Sequence, residues 1–371
     1  MMNSKTLGIL AAVLVVLGLL SWATNRSRYA TVKDGGFVEV MPESIDTGSI
    51  QRIRAWLGTH PDEALELERS GDGWVVASKW GWEAKKAQVD QVLEDLENLK
   101  GEKRASSSEV LADFQIDDES GLHLEALGSG GSSLVHVVVG KSAPGGGGFI
   151  RRAGSNDVYL TQAGLRSTFG IWSDEPTPPD AKRWVELRAF QAERNEVDAI
   201  ILRDGSTEIT LSKEIAMKAP PQPVEAVETD GEGGTDAVDG ALESEADTTA
   251  AALAEPVPDR TNWTWKSDGE GAIDKNKADS ILGLVCSLHA TDVADPANVA
   301  EYGLGDPVRM VTVVFDGGRT ETIAFGAPTE DDKRVYFRVG EDGKPAQINT
   351  STVDRIFVER SELRPAEGSE G

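Results

Sequence analysis

The chain has 371 residues, enough for two domains of ordinary size, and a formal net charge of −26 at pH 7. An acidic protein without a basic stripe is a poor nucleic-acid binder, because contacts to phosphate need lysine and arginine. A single cysteine, Cys286, excludes an intramolecular disulfide and a metal site with several cysteine ligands.

Residues 1–30 contain an apolar segment that predicts a membrane anchor. Leu7 to Ala23 carries no charged residue, and a helix of this length is just long enough to cross a thin hydrocarbon core. We interpret it as a single-pass transmembrane helix of the inner membrane, with the bulk of the chain on the periplasmic or extracellular side. The alternative is a signal peptide cleaved after Ala23, since Ser21 and Ala23 are small.

The first predicted domain covers residues 37–188. Alternating apolar residues predict strands at 50–56 and 65–68, and the turn at Ser70–Gly73 predicts a hairpin with a return strand from Trp74. An apolar stripe at three- and four-residue spacing predicts a helix over 87–99. Further strands are predicted at 122–124, 134–139, 149–151 and 158–160.

The second predicted domain, residues 196–365, repeats this pattern. The helical stripe recurs over 275–288, each apolar position lying 189 residues after its counterpart, and Asp274 is placed to cap that helix. We therefore predict an α+β fold of two duplicated domains that follow the anchor. Each consists of a mainly antiparallel β-sheet with one principal α-helix.

An acidic insertion is predicted at 215–260, within the second domain. The offset between the copies grows by about 45 residues across this segment, which has no lysine or arginine between Lys218 and Arg260 and no aromatic residue. Such a composition buries too little apolar surface to offset the entropy of ordering, so we predict a disordered loop.

Three motifs of the second copy resemble the domain of unknown function 4340 family. They are Tyr302-Gly303-Leu304-Gly-Asp-Pro307, Gly326-Ala-Pro328 and Tyr336-Phe-Arg338. The first copy departs from the pattern, because Phe114-Gln115-Ile116 lacks the glycine. The resemblance implies a membrane-anchored envelope protein, often encoded beside a gliding-motility-type ABC transporter. The family has no known active site, so the resemblance transfers no catalytic residue.

Two groups of residues are candidates for binding chemistry. His123 and His136 lie on strands that we expect to pair, where they could face each other as metal ligands, but neither has a third ligand at a clear spacing. The glycines at 145–148 resemble a phosphate-binding loop, but Phe149-Ile150 follows where a helix would be needed, so we interpret them as a plain loop.

Arginines and tryptophans supply the remaining candidates. Arg151 and Arg338 end equivalent strands and could bind an anion, although pairing with a carboxylate of the chain is the simpler interpretation. Four tryptophans could form a carbohydrate-stacking surface, namely Trp56, Trp80, Trp82 and Trp172. Trp80 and Trp82 are expected to share one face of a strand, but packing in the core or at a domain interface is the favoured interpretation of these tryptophans.

No catalytic, cofactor-binding or metal residue is assigned, and no cofactor is expected. We expect a non-enzymatic accessory or scaffold protein of the cell envelope that works with the membrane-protein subunits of an ABC-type transporter complex. The alternative is an exported ligand-binding module for an envelope glycan or an anionic solute.

Overall fold

The computed structural model describes residues 36, 38–41, 45–144, 146–173, 175–218, 257–269 and 271–365. The predicted anchor at 1–30 lies outside them, as does most of the predicted insertion at 215–260. None of the helices within these ranges has the length and apolar character needed to span a membrane.

The described residues form two compact units. The first comprises the chain up to Ala189 together with Ala290–Glu301 and Lys344–Gln347, and the second comprises Phe190–His289, Tyr302–Gly343 and the chain from Ile348. Both are rich in antiparallel sheet and contain few helices, which confirms the predicted α+β class.

The first unit is built on a ten-stranded antiparallel sheet. Its strands are β1 (Val38–Glu39), β2 (Arg52–Leu57), β3 (Leu65–Ser70), β4 (Gly73–Val76), β5 (Trp82–Glu83), β6 (Lys100–Ser106), β7 (Leu122–Leu127), β8 (Ser133–Ser142), β9 (Gly148–Arg152) and β10 (Asp157–Thr161). They lie in the order β1-β6-β10-β9-β8-β7-β2-β3-β4-β5.

One face of this sheet packs on helix α1 (Lys86–Glu97), and the short helix α2 (Leu165–Thr168) follows β10. Val89, Val92 and Leu96 of α1 are buried, as the apolar stripe predicts. They share a core with Ile53 of β2 and Leu67 of β3. Truncating one of the core leucines to alanine costs about 2–5 kcal/mol, so this contact contributes strongly to the stability of the unit.

The opposite face of the sheet carries a smaller apolar cluster. The 3-10 turns at Ser108–Val110 and Ala112–Phe114 bring Val110 and Ile116 against Val138 of β8. The turns cover part of the sheet because their few apolar side chains point toward it.

The later strands are β11 (Arg188–Gln191), β12 (Val197–Asp204), β13 (Thr207–Lys218), β14 (Val257–Ser267), β15 (Ser287–His289), β16 (Asp292–Val293), β17 (Arg309–Phe315), β18 (Thr320–Pro328), β19 (Arg334–Val339) and β20 (Ala346–Asn349). Six of them are neighbours in the sheet of the second unit, in the order β14-β13-β12-β17-β18-β19. Helices α3 (Lys275–Val285) and α4 (Thr350–Ile356) complete this unit.

Helix α3 begins where the sequence predicts. The Asp274 carboxylate accepts hydrogen bonds from the backbone N–H groups of Asn276 and Lys277 at 2.9 and 3.3 Å, which satisfies two donors of the first turn. Ile281, Leu282 and Val285 are buried along one face of the helix. The cap and the stripe are therefore both confirmed.

The two sheets repeat one strand order. In the first unit the series β4-β3-β2-β7-β8-β9 matches β14-β13-β12-β17-β18-β19 of the second, and all of these neighbours are antiparallel. In both units the principal helix comes after this edge strand along the chain, with β5 between β4 and α1 in the first unit. The duplicated pattern predicted from sequence thus corresponds to a repeated sheet topology.

The predicted bounds of the acidic insertion need correction. Residues 215–218 belong to β13 and residues 257–260 to β14, and Ala216 pairs with Asp259. The hairpin therefore continues beyond the predicted ends, because main-chain hydrogen bonds form whatever the side-chain composition. The remaining part, 219–256, lies outside the described residues.

Candidate functional site

The face of the first sheet opposite α1 carries a cluster of polar and aromatic side chains. Trp56 on β2 stacks on His123 on β7, with ring centroids 5.0 Å apart and planes inclined by 13°. The Arg54 guanidinium carbon lies 4.6 Å from the centroid of the Trp56 ring. We call Trp56, His123, His136, Arg151 and Asp118 the outer-face cluster.

The two histidines of the cluster face each other, as the predicted strand pairing requires. His123 Nε2 lies 3.0 Å from the carbonyl oxygen of Asp118, and a carbonyl only accepts, so Nε2 carries the proton. His123 Nδ1 is then the acceptor for the Nε2–H of His136 at 3.1 Å. Burial lowers the pKa of His136, and Arg151 adds to this effect, which favours the neutral imidazole.

This hydrogen bond uses the nitrogen atoms that a shared metal ion would need. Among the residues that the structure describes, no group of three or more His, Cys, Asp or Glu side chains is arranged to hold a metal ion. The facing pair is thus a hydrogen-bonded feature of the sheet surface.

Arg151 is the buried centre of the cluster, with 2% of its surface exposed. Its Nε donates to the carbonyl oxygen of Ile116, and Nη1 donates to those of Arg152 and Ser155 at 3.2 and 3.3 Å. Its Nη2 pairs with the carboxylate of Asp118, whose side chain is 78% exposed. The predicted pairing of Arg151 with a carboxylate of the chain is confirmed.

A tight corner precedes β7 and presents these acceptors. Gln115 adopts a left-handed backbone with φ of 55°, a conformation that costs energy for every residue other than glycine. The corner presses on Gly140 of β8, where an added Cβ would lie 2.2 Å from the carbonyl oxygen of Phe114. The Phe114 ring packs 4.3 Å from that of Phe149.

The second unit has the same corner in the motif Tyr302-Gly303-Leu304. Gly303 has φ of 68°, a conformation that glycine adopts readily, and Leu304 is fully buried. A Cβ on Gly326 would lie 2.0 Å from the carbonyl oxygen of Tyr302. The rings of Tyr302 and Tyr336 stack at 4.0 Å, in the place of the phenylalanine pair of the first unit.

An open groove of about 500 Å³ lies beside this second corner. Its apolar lining includes Phe325, Ala327 and Val335, and its polar lining includes Asp306 and Arg309. Arg309 Nε pairs with Asp204 at 3.0 Å, so this guanidinium is partly occupied by the chain itself.

Arg338 differs from its counterpart Arg151. It is only partly buried, yet its Nε is shielded from solvent and has no hydrogen-bond partner among the described residues. A buried donor without an acceptor costs about 1–3 kcal/mol. The pairing with a carboxylate that the sequence suggested for Arg338 is therefore wrong for the described part of the chain.

The model of the family described as domain of unknown function (DUF4340) matches residues 74–255 and 263–358, which is well over half of the chain. The chain belongs to the DUF4340 family. The match covers both corners and both arginines, so the resemblance drawn from the Tyr-Gly-Leu motif is confirmed. No curated protein and no solved structure matches the chain.

The tryptophans of this DUF4340 protein occupy different environments. Trp56 stacks on His123, and Trp82 is partly buried against the core of the first unit. Trp80 and Trp172 are 40% and 73% exposed. The hypothesis of a stacking surface therefore does not describe Trp56 and Trp82, whose rings pack within the first unit, in line with the favoured interpretation as packing residues.

The prediction that Trp80 and Trp82 share a strand face is wrong. Trp80 follows a 3-10 turn at Ala77–Lys79 and has a left-handed backbone, with φ of 53° and ψ of 30°. Gly81 also has positive φ, at 67°, and β5 begins only at Trp82. Two successive left-handed residues reverse the chain so that Trp82 pairs with Val76.

The glycine-rich stretch of the DUF4340 chain is a hairpin connection. Gly145 lies outside the described residues, Gly146 and Gly147 have positive φ, and β9 begins at Gly148. A Cβ on Gly147 would lie 1.9 Å from the carbonyl oxygen of Thr161, so the loop packs tightly against the end of β10. A strand follows the loop, which confirms the interpretation as a plain connection.

Sequence reasoning missed one polar cluster in the second unit. The indole N–H groups of Trp263 and Trp265 both donate to Asp279 Oδ1, at 3.1 and 2.8 Å. Lys275 pairs with the same carboxylate at 3.2 Å. Lys213 Nζ lies 3.9 Å from the centroid of the Trp263 ring, a cation–π contact. The signal in the sequence was the alternation Trp263-Thr-Trp265, which places both rings on one face.

Burial shifts the pKa of two groups near this cluster. It lowers the pKa of Lys213 to about 8 and raises the pKa of Cys286 to about 11. Cys286 is 3% exposed at the end of α3. A thiol with these properties stays protonated, as is typical of a buried structural cysteine.

Proposed function

We propose that this DUF4340 protein is a non-enzymatic, membrane-anchored accessory or scaffold protein of the cell envelope that works with an ABC-type transporter complex. The apolar segment at residues 7–23 would hold it in the inner membrane, with both units on the periplasmic or extracellular side. The transporter context comes from the family resemblance. Its partners would be membrane-protein subunits of that complex.

The observation that carries this proposal is Trp80. A bulky residue in the left-handed region costs about 1–2 kcal/mol relative to ordinary backbone, and the indole of Trp80 is also 40% exposed. The turn is held by Lys344, whose Nζ donates to the carbonyl oxygen of Trp80 at 3.2 Å. Strain and exposure at one aromatic side chain favour a contact role, because tryptophan is enriched at the energetic centres of interfaces.

We also infer that the two units descend from one ancestral domain, with copies at 37–188 and 196–365. The repeated strand order supports this origin, as do the two corners and the equivalent arginines. The first copy has Gln115 where the second copy has the motif glycine, Gly303. This difference is consistent with a first copy that has diverged further from the family motif.

Replacing Trp80 with asparagine tests the contact role. Asparagine tolerates the left-handed backbone, so we expect Trp80→Asn to change the free energy of unfolding by no more than about 1 kcal/mol. We expect recovery of transporter subunits with the tagged full chain from its own membranes to fall about tenfold or more, the loss typical of an interface tryptophan. Quantitative mass spectrometry of the co-purified proteins measures it.

Leu134→Ala is the matched control, because Leu134 is 38% exposed on β8 of the same unit and has no strained backbone. Recovery with this variant should equal that of the unsubstituted chain. Equal recovery with Trp80→Asn as well would show that the indole is not part of a contact surface.

The alternative function, an exported module that binds an envelope glycan or an anionic solute, is favoured by one observation. Arg338 carries a shielded donor without a partner in the described part of the chain. A guanidinium in that state suits an anion and offers nothing particular to a neutral glycan.

A further inference from the structure

Arg151 and Arg338 occupy equivalent positions in the two sheets. Arg151 on β9 is paired with Val138 on β8, and Arg338 on β19 is paired with Ala324 on β18. In both units the strand before the arginine carries the glycine against which the corner packs. One position thus occurs twice in the same sheet topology, and the two copies can be compared directly.

In the first unit, groups of the chain itself accept the hydrogen bonds of the arginine at this position. The guanidinium of Arg151 meets carbonyl oxygens through Nε and Nη1 and the carboxylate of Asp118 through Nη2. Asp118 is mostly exposed, so the ion pair opens to solvent on the carboxylate side. The first unit therefore shows which anion fits beside an arginine at this place, namely a carboxylate approaching from the surface.

In the second unit the matching carboxylate does not reach the arginine. Asp118 lies two residues after the buried Ile116 of the corner, and Asp306 lies two residues after the buried Leu304. Asp306 instead lines the groove beside the corner.

The turn after each corner explains this difference. In the first unit the Asp117 carboxylate accepts hydrogen bonds from the N–H groups of Glu119 and Ser120, at 3.0 and 2.9 Å. This turn fixes the backbone from which Asp118 extends. The second unit has Gly305 where an aspartate would be needed, and Pro307 supplies no N–H to such a turn.

We propose that Arg338 is a binding site for a carboxylate that the described chain does not supply. Its Nε has no acceptor among the described residues, and an arginine guanidinium is the planar fork that carboxylates bind with two hydrogen bonds. Tyr336, two residues earlier on β19, lies on the same face and stacks on Tyr302, which places an aromatic wall beside the site. The ligand is a free small carboxylate or an aspartate or glutamate side chain of a partner.

Acetate is the probe, because it carries the carboxylate and little else. The isotope-labelled full chain in detergent is titrated with acetate at constant ionic strength, balanced with chloride, and the arginine Nε–H signals are followed by nuclear magnetic resonance. We expect the Nε–H signal of Arg338 and the backbone N–H signal of Val339 to shift and to saturate with acetate. Chloride alone should move neither of them.

Two variants give the test its specificity. Lysine presents a point charge without a fork, so Arg338→Lys should weaken the acetate response of the Val339 signal by about fivefold or more. Arg203→Lys is the control, since Arg203 is an exposed arginine of the same unit. An equal loss in both variants, or an equal response to chloride and acetate, would contradict a carboxylate site at Arg338.

Asp118→Asn tests the same chemistry without altering Arg338. It removes the internal carboxylate from Arg151, so we expect the Arg151 Nε–H signal to begin responding to acetate while that of Arg338 responds as before. A titration in which neither arginine responds would overturn the proposal.

Native mass spectrometry of the freshly purified chain distinguishes the two sources of the carboxylate. A small acid retained by the unsubstituted chain and lost from Arg338→Lys identifies a free ligand. A chain that carries no small acid but responds to acetate points to a carboxylate side chain of a partner.

Discussion

Gly326→Ala is expected to lower the free energy of unfolding by about 3 kcal/mol or more, the range reached when a core position is overpacked. The added Cβ would lie 2.0 Å from the carbonyl oxygen of Tyr302 and 3.1 Å from Leu304 Cδ2. The carbonyl group of Tyr302 cannot move away from the added Cβ without losing the hydrogen bond that it accepts from the Ala327 N–H at 2.7 Å. The corner and β18 must separate, and chemical denaturation of the full chain measures the cost.

Gly305→Ala is the matched control for this prediction. Gly305 lies in the same corner, has no positive φ and has open space where a Cβ would stand. We expect a change within about 0.5 kcal/mol, the range of an ordinary surface substitution. If the two alanine variants were equally stable, the close packing of the corner against β18 would be disproved.

Asp279→Ala is the second substitution with a large expected effect. It removes the acceptor of two indole N–H groups, those of Trp263 and Trp265, and the ion-pair partner of Lys275. Leaving a buried donor without an acceptor costs about 1–3 kcal/mol, and Trp265 is the more buried of the two. We expect the free energy of unfolding to fall by about 2–3 kcal/mol, as measured by denaturant titration.

Asp279→Asn separates the hydrogen bonds from the charge, because its amide oxygen still accepts from the indoles. Burial raises the pKa of Asp279, but hydrogen bonds from Trp265, Lys275 and Trp263 outweigh it and hold that pKa below its usual value. A carboxylate whose pKa is lowered by folding contributes its full stabilisation of the folded chain at pH values above the pKa that it has in the unfolded chain. This contribution is lost as the pH falls through its pKa in the folded chain. The difference in stability between the unsubstituted chain and the Asp279→Asn variant should therefore shrink in acid, and a difference that grew would contradict the assignment.

The sequence predicted those elements whose apolar residues follow a clear period. The stripes of α1 and α3 and the alternating strands β2 and β12 were found, since burial of one face imposes that period. Strand β6 was missed because Lys100–Ser106 is almost entirely polar. Its pairing with β10 depends on main-chain hydrogen bonds and on small residues such as Gly101, which leave no apolar pattern.

The candidate sites, too, could be predicted from the sequence only in part. A carboxylate partner for Arg151 was predicted from charge balance alone, but which aspartate reaches it depends on the turn at Asp117, whose geometry no spacing rule reveals. Gln115 takes a left-handed backbone conformation, which glycine has at the equivalent position Gly303 of the second unit. The packing of Ile116 and Phe114 around Gln115 outweighs the backbone strain of that conformation. Trp80 was placed on a strand because alternation does not reveal a turn of two left-handed residues.

Site-specific photo-cross-linking from position 80 tests most directly whether the chain works by contact with a transporter complex. A photoreactive amino acid replaces Trp80 in the full chain, the host membranes are irradiated, and mass spectrometry identifies the adducts. Our proposal predicts adducts with membrane-protein subunits of an ABC-type transporter, and none from a probe placed at Leu134. Adducts with unrelated proteins at equal yield from both positions, or catalytic turnover of a small molecule by the purified chain, would contradict it.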